Sequence, residues 1–307
     1  MHSRQHFVKL CALLAVLFAL SSLAMAGSFN GLVVYGDSLS DNGNLFGAIG
    51  YPPPPYYMGR FSNGPVTAEY MAQDFNIPLT DWAWGGATTG IGNIADGGDQ
   101  THLGFLGLPG MTTSFLATKG SITQQMAQGS LFMVWGGPDD FTANGLTMQT
   151  ADVAVNNILG IVGGLKALGV QHILVPGMPD LGVTPEYKAN GNSQLGSQLS
   201  AYFNSKLLAG LQGSGVSYFD TYSLLDAIVA NPQKYGFSNA TDPCFDGVNV
   251  CSNPNSYLFW DDIHPTTHAD QLLAAGFEQV VVPEPASLIL FGSGMVGAFG
   301  LLRRSVS

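Results

Sequence analysis

Short buried strands alternate with longer amphipathic helices through the central part of the chain. Apolar runs rich in β-branched and aromatic residues predict strands at residues 31–36, 79–84, 131–135, 172–176 and 216–220. Helical periodicity predicts helices over about residues 148–168, 194–211, 222–230 and 267–279. Strands separated by helices of this length predict right-handed crossovers and a parallel sheet covered on both faces. We therefore expect one three-layer α/β/α domain of flavodoxin-like type, without an internal repeat or a domain linker.

Three stretches between these elements depart from the alternation. Residues 51–56 (Tyr-Pro-Pro-Pro-Pro-Tyr) cannot be helical, so we expect a stiff loop that lines one side of a cleft; a polyproline ligand for a partner protein is the alternative. A further helix is expected to begin near Asn63, with Pro65 in its first turn. The glycine-rich residues 90–120 are expected to form a long loop with short helical turns that shapes a pocket.

The first 26 residues are typical of a secretory signal peptide. Arg4 and Lys9 precede an apolar run at residues 10–20, and residues 24–26 (Ala-Met-Ala) supply the small side chains that a signal peptidase reads. We therefore expect cleavage before Gly27. An amino-terminal membrane anchor is the alternative, and the shortness of the apolar run argues against it.

Residues 283–307 carry a second targeting pattern. Pro-Glu-Pro at residues 283–285 is followed by an apolar run at residues 286–302 and then by Arg303 and Arg304. The run is barely long enough to be a transmembrane helix, and the arginines would hold its end on the cytoplasmic side. A plain carboxy-terminal anchor is one interpretation. The order also resembles the PEP-CTERM sorting tag of exopolysaccharide-producing Gram-negative bacteria, which implies transient anchoring, processing by an exosortase, and release or attachment at the cell surface.

The body between these two signals, residues 27–282, is strongly acidic. It contains 6 basic and 20 acidic side chains, against a formal net charge of −11 for the whole chain. This balance argues against nucleic acid and against anionic membrane surfaces as partners. The body is therefore expected to be a soluble exported protein.

Two cysteines remain in the body, Cys244 and Cys251, in a loop rich in proline, asparagine and aspartate. An even pair in an oxidising compartment predicts a disulfide. A metal site is the weaker interpretation, because two thiols without nearby histidines do not complete a zinc coordination shell.

The first candidate for chemistry follows the first predicted strand, where residues 36–39 read Gly-Asp-Ser-Leu. A serine at the carboxyl end of a buried strand lies where open α/β sheets place their ligands. The turn and capping residues at 40–44 predict a helix start, whose free N–H groups stabilise negative charge. This stretch resembles the signature of the GDSL (SGNH) esterases and lipases, in which the serine is the nucleophile.

Further short motifs match the same family in the same order. They are residues 60–65 (Arg-Phe-Ser-Asn-Gly-Pro), 85–88 (Gly-Gly-Ala-Thr), 136–140 (Gly-Gly-Pro-Asp-Asp) and 260–266 (Trp-Asp-Asp-Ile-His-Pro-Thr). The resemblance implies Ser38 as nucleophile, His264 as general base and acid, and Asp261 as the group that orients His264, with no cofactor and no metal. A serine hydroxyl needs such a positioned imidazole to remove its proton. Asp262 is a rival for the orienting role, but the Asp-x-x-His spacing of the family selects Asp261.

The oxyanion hole implied by the resemblance consists of Ser38, Gly86 and Asp139, and the last departs from the family. The family has Gly-x-Asn-Asp where this chain has Gly-Pro-Asp-Asp at residues 137–140. An asparagine donates its side-chain N–H to the oxyanion, and an ionised aspartate cannot donate. Loss of one such donor typically costs about 10²–10³ in rate.

Two function classes follow from these observations. The first is an exported serine ester hydrolase that acts on an acyl lipid or on an acetylated polysaccharide. The second is a catalytically weak surface protein on the same fold that binds carbohydrate or serves in the matrix. The intact Ser38, Asp261 and His264 favour the hydrolase, whereas Asp139 and the sorting tag keep the alternative open.

Overall fold

The computed structural model describes residues 29–282, and its centre is a sheet of five parallel strands. The strands are β1 (Leu32–Gly36), β2 (Leu79–Asp81), β3 (Leu131–Trp135), β4 (His172–Pro176) and β5 (Ser217–Phe219). Their order across the sheet is β2-β1-β3-β4-β5, with Leu32 of β1 paired with Leu79 and with Leu131. This is the flavodoxin-like order, so the predicted fold class is confirmed.

Helices cover both faces of this sheet. In the described residues they are α1 (Asn44–Ile49), α2 (Thr67–Asp74), α3 (Met111–Thr118), α4 (Gln124–Gly129), α5 (Pro138–Asn144), α6 (Met148–Ala167), α7 (Pro185–Ala189), α8 (Ser193–Leu211), α9 (Thr221–Ala230) and α10 (Thr267–Val281). Helices α3, α6 and α8 pack on one face, and α2 and α10 pack on the opposite face. The boundaries predicted for α6, α8, α9 and α10 agree with these to within about two residues.

The main core lies between the sheet and its helices. Val33 and Tyr35 of β1 join Phe132 of β3 in the cluster that α3, α6 and α8 complete. On the other face, Trp135 packs edge-on against Phe277 of α10, with ring centroids 5.2 Å apart. Because both faces are covered, every residue of β1 and β3 is buried and the strands appear in the sequence as continuous apolar runs.

Three local predictions need correction. The regular part of the second strand ends at Asp81, although the N–H groups of Trp82 (2.9 Å) and Trp84 (3.1 Å) still donate to carbonyls of β1. Residues 90–120 contain a true helix, α3, which covers the sheet. Helix α2 begins at Thr67, and the carboxylate of Glu69 in its first turn accepts the N–H of Val66 (3.0 Å). Asn63 serves another helix, since its Oδ1 accepts the N–H of Thr267 at the start of α10 (2.9 Å).

A small two-stranded sheet, which the sequence did not predict, precedes the histidine loop. It pairs β6 (Asn239–Pro243) with β7 (Tyr257–Phe259), and a disulfide joins Cys244 to Cys251 in the loop between them. The N–H of Cys244 donates to the carbonyl of Phe259 (3.0 Å). The disulfide loop therefore lies directly against the segment that leads into residues 261–264.

Residues 29–281 form one compact unit with its own core, so this part of the chain is expected to fold without the segments on either side. The predicted signal peptide and the apolar run at residues 286–302 lie outside the described residues. Between residues 29 and 282, no helix is long and apolar enough to cross a membrane.

Candidate active site

Ser38 follows β1 in a turn that a buried carboxylate holds in place. Ser38 is 8% exposed and faces a cavity. The carboxylate of Asp41 accepts the N–H groups of Asn44 (2.6 Å) and Leu45 (3.1 Å) at the start of α1, and that of Gly85 (2.7 Å). Asp41 thereby joins the turn after Ser38 to the turn after β2 and fixes the position of each turn relative to the other.

His264 lies on the loop before α10 and meets Ser38 across 226 positions of sequence. Its Nε2 is 2.7 Å from Ser38 Oγ, and its Nδ1 is 2.8 Å from Asp261 Oδ2. With Nδ1 protonated and bonded to the carboxylate, Nε2 is free to accept the serine proton. The three residues named from the sequence are thus brought together in one hydrogen-bonded line.

The surroundings of this pair keep Asp261 charged and His264 basic. Burial opposes ionisation of Asp261, but the charge and hydrogen bonds of His264 outweigh it, so the pKa of Asp261 lies below its ordinary value. Burial likewise disfavours protonation of His264, yet the charge and hydrogen bond of Asp261 raise its pKa above the usual value. Asp261 also accepts the N–H groups of Ile263 (2.9 Å) and His264 (2.7 Å).

The rival carboxylate, Asp262, points elsewhere. It is exposed, and its backbone carbonyl accepts the N–H of Glu186 (2.8 Å). Within residues 29–282 its side chain makes no hydrogen bond to His264, so the geometry favours Asp261 for the orienting position.

Tyr56 is a member of this site that the sequence analysis missed. Its hydroxyl donates to Asp261 Oδ2 at 2.7 Å. The proline-rich loop that carries it lines the cleft through Tyr51, as expected for residues 51–56. The two partners are 205 positions apart, and no spacing in the sequence indicates the contact. A tyrosine that closes a rigid proline run was the one available signal.

Within residues 29–282, two backbone N–H groups of residues that line the cavity are left without a protein partner. Those of Ser38 and Gly86 have no hydrogen-bond partner among the described residues, and both residues line the cavity. Gly86 has a φ of 77°, and a Cβ there would lie 2.6 Å from Asn93 Oδ1. Only glycine fits this turn at low cost.

Asp139 lines the same cavity near other carboxylates. Its pKa is raised well above the ordinary value, first by loss of solvation and then by the charges of Asp37 and Asp140. Asp37 is fully buried, its Oδ2 has no partner in the described chain, and burial raises its pKa to about 7. Asp140 is structural, because it accepts bonds from Thr89 (2.7 and 2.9 Å) and from Gln100 (2.6 Å).

The cavity has a volume of about 580 Å³ and extends well beyond Ser38. Its lining is mostly aliphatic, with Leu224, Leu225 and Ile228 from α9 and Leu273 from α10. Ile49 and Tyr51 line its mouth and are exposed to solvent. A cavity of this size and composition accommodates an apolar group.

The other histidines of residues 29–282 lie outside the site. His102 and His172 are exposed, and His172 packs against Phe29 (ring centroids 5.3 Å apart). The Nε2 of His268 is 3.1 Å from the carbonyl oxygen of Tyr235. No group of three or more potential metal ligands is clustered within residues 29–282.

Two family profiles match the chain. The profile described as GDSL-like Lipase/Acylhydrolase matches residues 32–277. The profile of the PEP-CTERM protein-sorting motif matches residues 281–304, which indicates export and sorting to the surface of a Gram-negative bacterium.

Individual proteins are also similar to this chain, in sequence or in structure. The chain is 27% identical to the thermolabile hemolysin of Vibrio parahaemolyticus over 80% of this chain and 62% of that protein, so it spans less than two thirds of the hemolysin. It is 29% identical to the phosphatidylcholine-sterol acyltransferase of Aeromonas hydrophila, over 78% of this chain and 72% of that protein. A crystallised catalytic mutant of an acetylxylan esterase from Geobacillus stearothermophilus aligns over 84% of this chain and 96% of its own, at 12% identity and a TM-score of 0.49. Because the family profile covers more than half of its residues, the chain belongs to the GDSL-like lipase/acylhydrolase family.

Proposed function

We propose that the protein is an exported serine ester hydrolase that works through an acyl-enzyme intermediate. The observation that carries the proposal is the continuous line from Ser38 Oγ to His264 Nε2 (2.7 Å) and from His264 Nδ1 to Asp261 Oδ2 (2.8 Å). In this mechanism His264 takes the Ser38 proton as the oxygen attacks the ester carbonyl. It then passes the proton to the departing alcohol, and a water activated in the same way releases the acid.

The oxyanion formed in each step is stabilised by the N–H groups of Ser38 and Gly86. Asp139 contributes as a neutral acid, because its raised pKa favours the protonated form and a protonated carboxyl group donates a hydrogen bond. The neighbouring Asp37 strengthens this tendency, since two carboxylates close together do not both ionise readily.

We propose an ester of a fatty acyl chain as the substrate, rather than an acetylated polysaccharide. The aliphatic side chains on α9 and α10 offer an acyl chain a long apolar contact, whereas an acetyl group would leave most of the 580 Å³ unfilled. The relative named phosphatidylcholine-sterol acyltransferase is consistent with a lipid acyl group.

The alternative function, a catalytically weak surface protein that binds carbohydrate or serves in the matrix, is supported by Asp139 and by the sorting motif. An ionised Asp139 would repel the oxyanion and slow both steps. A fluorophosphonate probe separates the two functions. It should label the purified domain once, and Ser38→Ala should abolish the labelling and lower kcat/KM on a short-chain chromogenic ester by at least about 10³-fold. Labelling that survives the substitution would place the nucleophile elsewhere.

We further propose that signal peptidase removes residues 1–26 and that an exosortase processes residues 283–307 after transient anchoring in the membrane. The matched sorting motif supports this route. Mass spectrometry of the protein from its host should show a start near Gly27 and loss of the apolar run. A retained run would identify a permanent anchor instead.

A further inference from the structure

An exposed apolar surface lies beside the mouth of the cavity. It consists of residues 46–58 and residues 103–107, and we call it the apolar rim. Six of its large side chains are between 39% and 83% exposed: Phe46, Ile49, Met58, Leu103, Phe105 and Leu106. Single exposed apolar side chains are common on soluble proteins, but several of them grouped beside a binding site mark an interaction surface.

The two parts of the apolar rim are connected to each other and to the active site. Leu45 directly precedes the first part, Leu108 directly follows the second, and both belong to one small hydrophobic cluster with Phe61. The ring of Phe61 also packs against that of His264, with centroids 4.9 Å apart. Because Leu45 and Phe61 also line the cavity, this hydrophobic cluster links both parts of the apolar rim to the cavity that contains Ser38.

The backbone of the apolar rim is held in shape. Four consecutive prolines at residues 52–55 stiffen the first part. In the second part, the carboxylate of Asp96 accepts the N–H groups of Leu106 (3.0 Å) and Leu108 (2.9 Å). The backbone carbonyl of Asp96 accepts the N–H of Phe105 (3.0 Å). The exposed side chains are thus presented at little cost in conformational entropy.

The charge distribution identifies the kind of partner. Residues 44–59 and 103–118 contain no Asp, Glu, Lys or Arg, although the body carries 20 acidic side chains. An anionic surface would be repelled by the acidic body, and a cationic partner would find no charge to pair with on the apolar rim. A lipid surface without net charge meets both conditions, because apolar side chains insert at its boundary without electrostatic attraction.

We propose that the apolar rim docks on an electrically neutral lipid surface and holds the mouth of the cavity against it. An ester lipid then passes from the surface into the aliphatic cavity without crossing water. The docking itself does not depend on catalysis, whereas this transfer rests on the proposed hydrolase function.

The test uses residues 27–282 with Ser38→Ala, so that the vesicles stay intact and the apolar tail is absent. In flotation with phosphatidylcholine vesicles we expect binding that resists salt and weakens when phosphatidylglycerol is added. Phe105→Asp (83% exposed) and Met58→Asp (66% exposed) should each reduce partitioning by about 10-fold or more. Leu208→Asp on α8, a leucine 50% exposed that does not line the cavity, is the matched control and should bind like the parent.

Three results would overturn the docking proposal. They are absence of binding to phosphatidylcholine vesicles, equal losses in the Leu208 control, and tighter binding to anionic vesicles that salt abolishes. A change of oligomeric state caused by Phe105→Asp, seen by sedimentation, would also overturn it, because the occupant would then be a second copy of the chain.

A second measurement separates this proposal from the proposed function. With Ser38 intact, Phe105→Asp should leave kcat/KM on a soluble short-chain ester within about twofold but reduce phosphatidylcholine hydrolysis by about 10-fold or more. Ester hydrolysis without vesicle binding would contradict the docking proposal and support the hydrolase function. Vesicle binding without hydrolysis of any ester would support the docking proposal and contradict the hydrolase function.

Discussion

Asp261 and Asp139 are two carboxyl groups near Ser38 that have opposite surroundings. Asp261 accepts hydrogen bonds from Tyr56, Ile263 and His264, and its pKa lies below the ordinary value. Asp139 makes no side-chain hydrogen bond within residues 29–282, and desolvation with neighbouring carboxylates raises its pKa. The difference shows how surroundings favour the ionised form of an aspartate in one place and the protonated form in another.

The strongest test of this contrast replaces the paired carboxylate. Asp261→Asn should lower kcat/KM by about 10⁴-fold, because the amide stabilises neither the correct tautomer nor the imidazolium of His264. Asp262→Asn is the matched control and should stay within about threefold of the parent, since its side chain is exposed and unbonded to His264. If Asp262→Asn were the damaging change, the orienting role would belong to Asp262. The measurement is steady-state kinetics on a short-chain ester.

The same substitution, aspartate by asparagine, at the unpaired Asp139 should raise kcat/KM instead of lowering it. Asp139→Asn supplies a donor at every pH, so it should raise kcat/KM by about 10- to 1000-fold at alkaline pH, where Asp139 is ionised, and change it little where Asp139 is protonated. If Asp139 acts as a neutral acid, the parent should also lose activity at alkaline pH as that group ionises, and the Asn variant should not. The low-pH limb of both profiles should follow protonation of His264.

The control for this gain is the double variant with Ser38→Ala, which should be inactive if the added rate passes through the same site. An Asn variant no faster than the parent at any pH would contradict the idea and would mean that Asp139 lies outside the oxyanion hole or has another role.

A smaller effect on kcat/KM is expected from substitution of Tyr56, whose hydroxyl donates a hydrogen bond to the carboxylate of Asp261. Tyr56→Phe removes a 2.7 Å hydrogen bond and concentrates negative charge on the carboxylate, so the pKa of His264 should rise further. We expect the acid limb of the kcat/KM profile to move to higher pH by up to about 1 unit, with a plateau about 3- to 10-fold lower. Tyr57→Phe, at an exposed neighbour, should leave the profile unchanged. An unshifted limb in Tyr56→Phe would assign Tyr56 to packing alone.

The smallest effect concerns a third carboxyl, Asp270 on α10, and is on stability. Burial raises its pKa to about 8, although Thr67 and Ser62 hydrogen-bond it. Ser62 Oγ also lies 3.0 Å from the carbonyl of Pro265, and its single proton can be donated to only one of these two acceptors. A proton on Asp270 therefore lets Ser62 donate to Pro265 while it accepts from Asp270. The folded state therefore holds a proton that the unfolded chain loses above about pH 4, and stability falls as pH rises from about 4 to 8.

Asp270→Asn mimics the protonated acid and should remove this pH dependence. We expect it to raise the free energy of unfolding at pH 8 by about 1–3 kcal/mol and to leave it nearly unchanged below pH 4. Urea denaturation at both pH values measures the difference. A variant less stable than the parent at pH 8 would show that Asp270 is ionised in the folded protein.

Much of the framework was determined by local sequence. The five strands and the long helices follow from the period of apolar residues, because burial on one or both faces is imposed on each element separately. Ser38 was located by its place after a buried strand, where open α/β sheets place ligands, whereas Gly86 was assigned through the resemblance of residues 85–88 to the GDSL family.

Tertiary structure alone decided the contacts between distant elements. Tyr56 meets Asp261 across 205 positions, and Asn63 caps α10 instead of the helix beside it in sequence. The apolar rim likewise forms only when residues 46–58 and 103–107 are brought together over one cluster. Such contacts depend on how whole elements pack, and a side chain's pKa depends on that packing too, so neither is encoded in the residues adjacent to it along the chain.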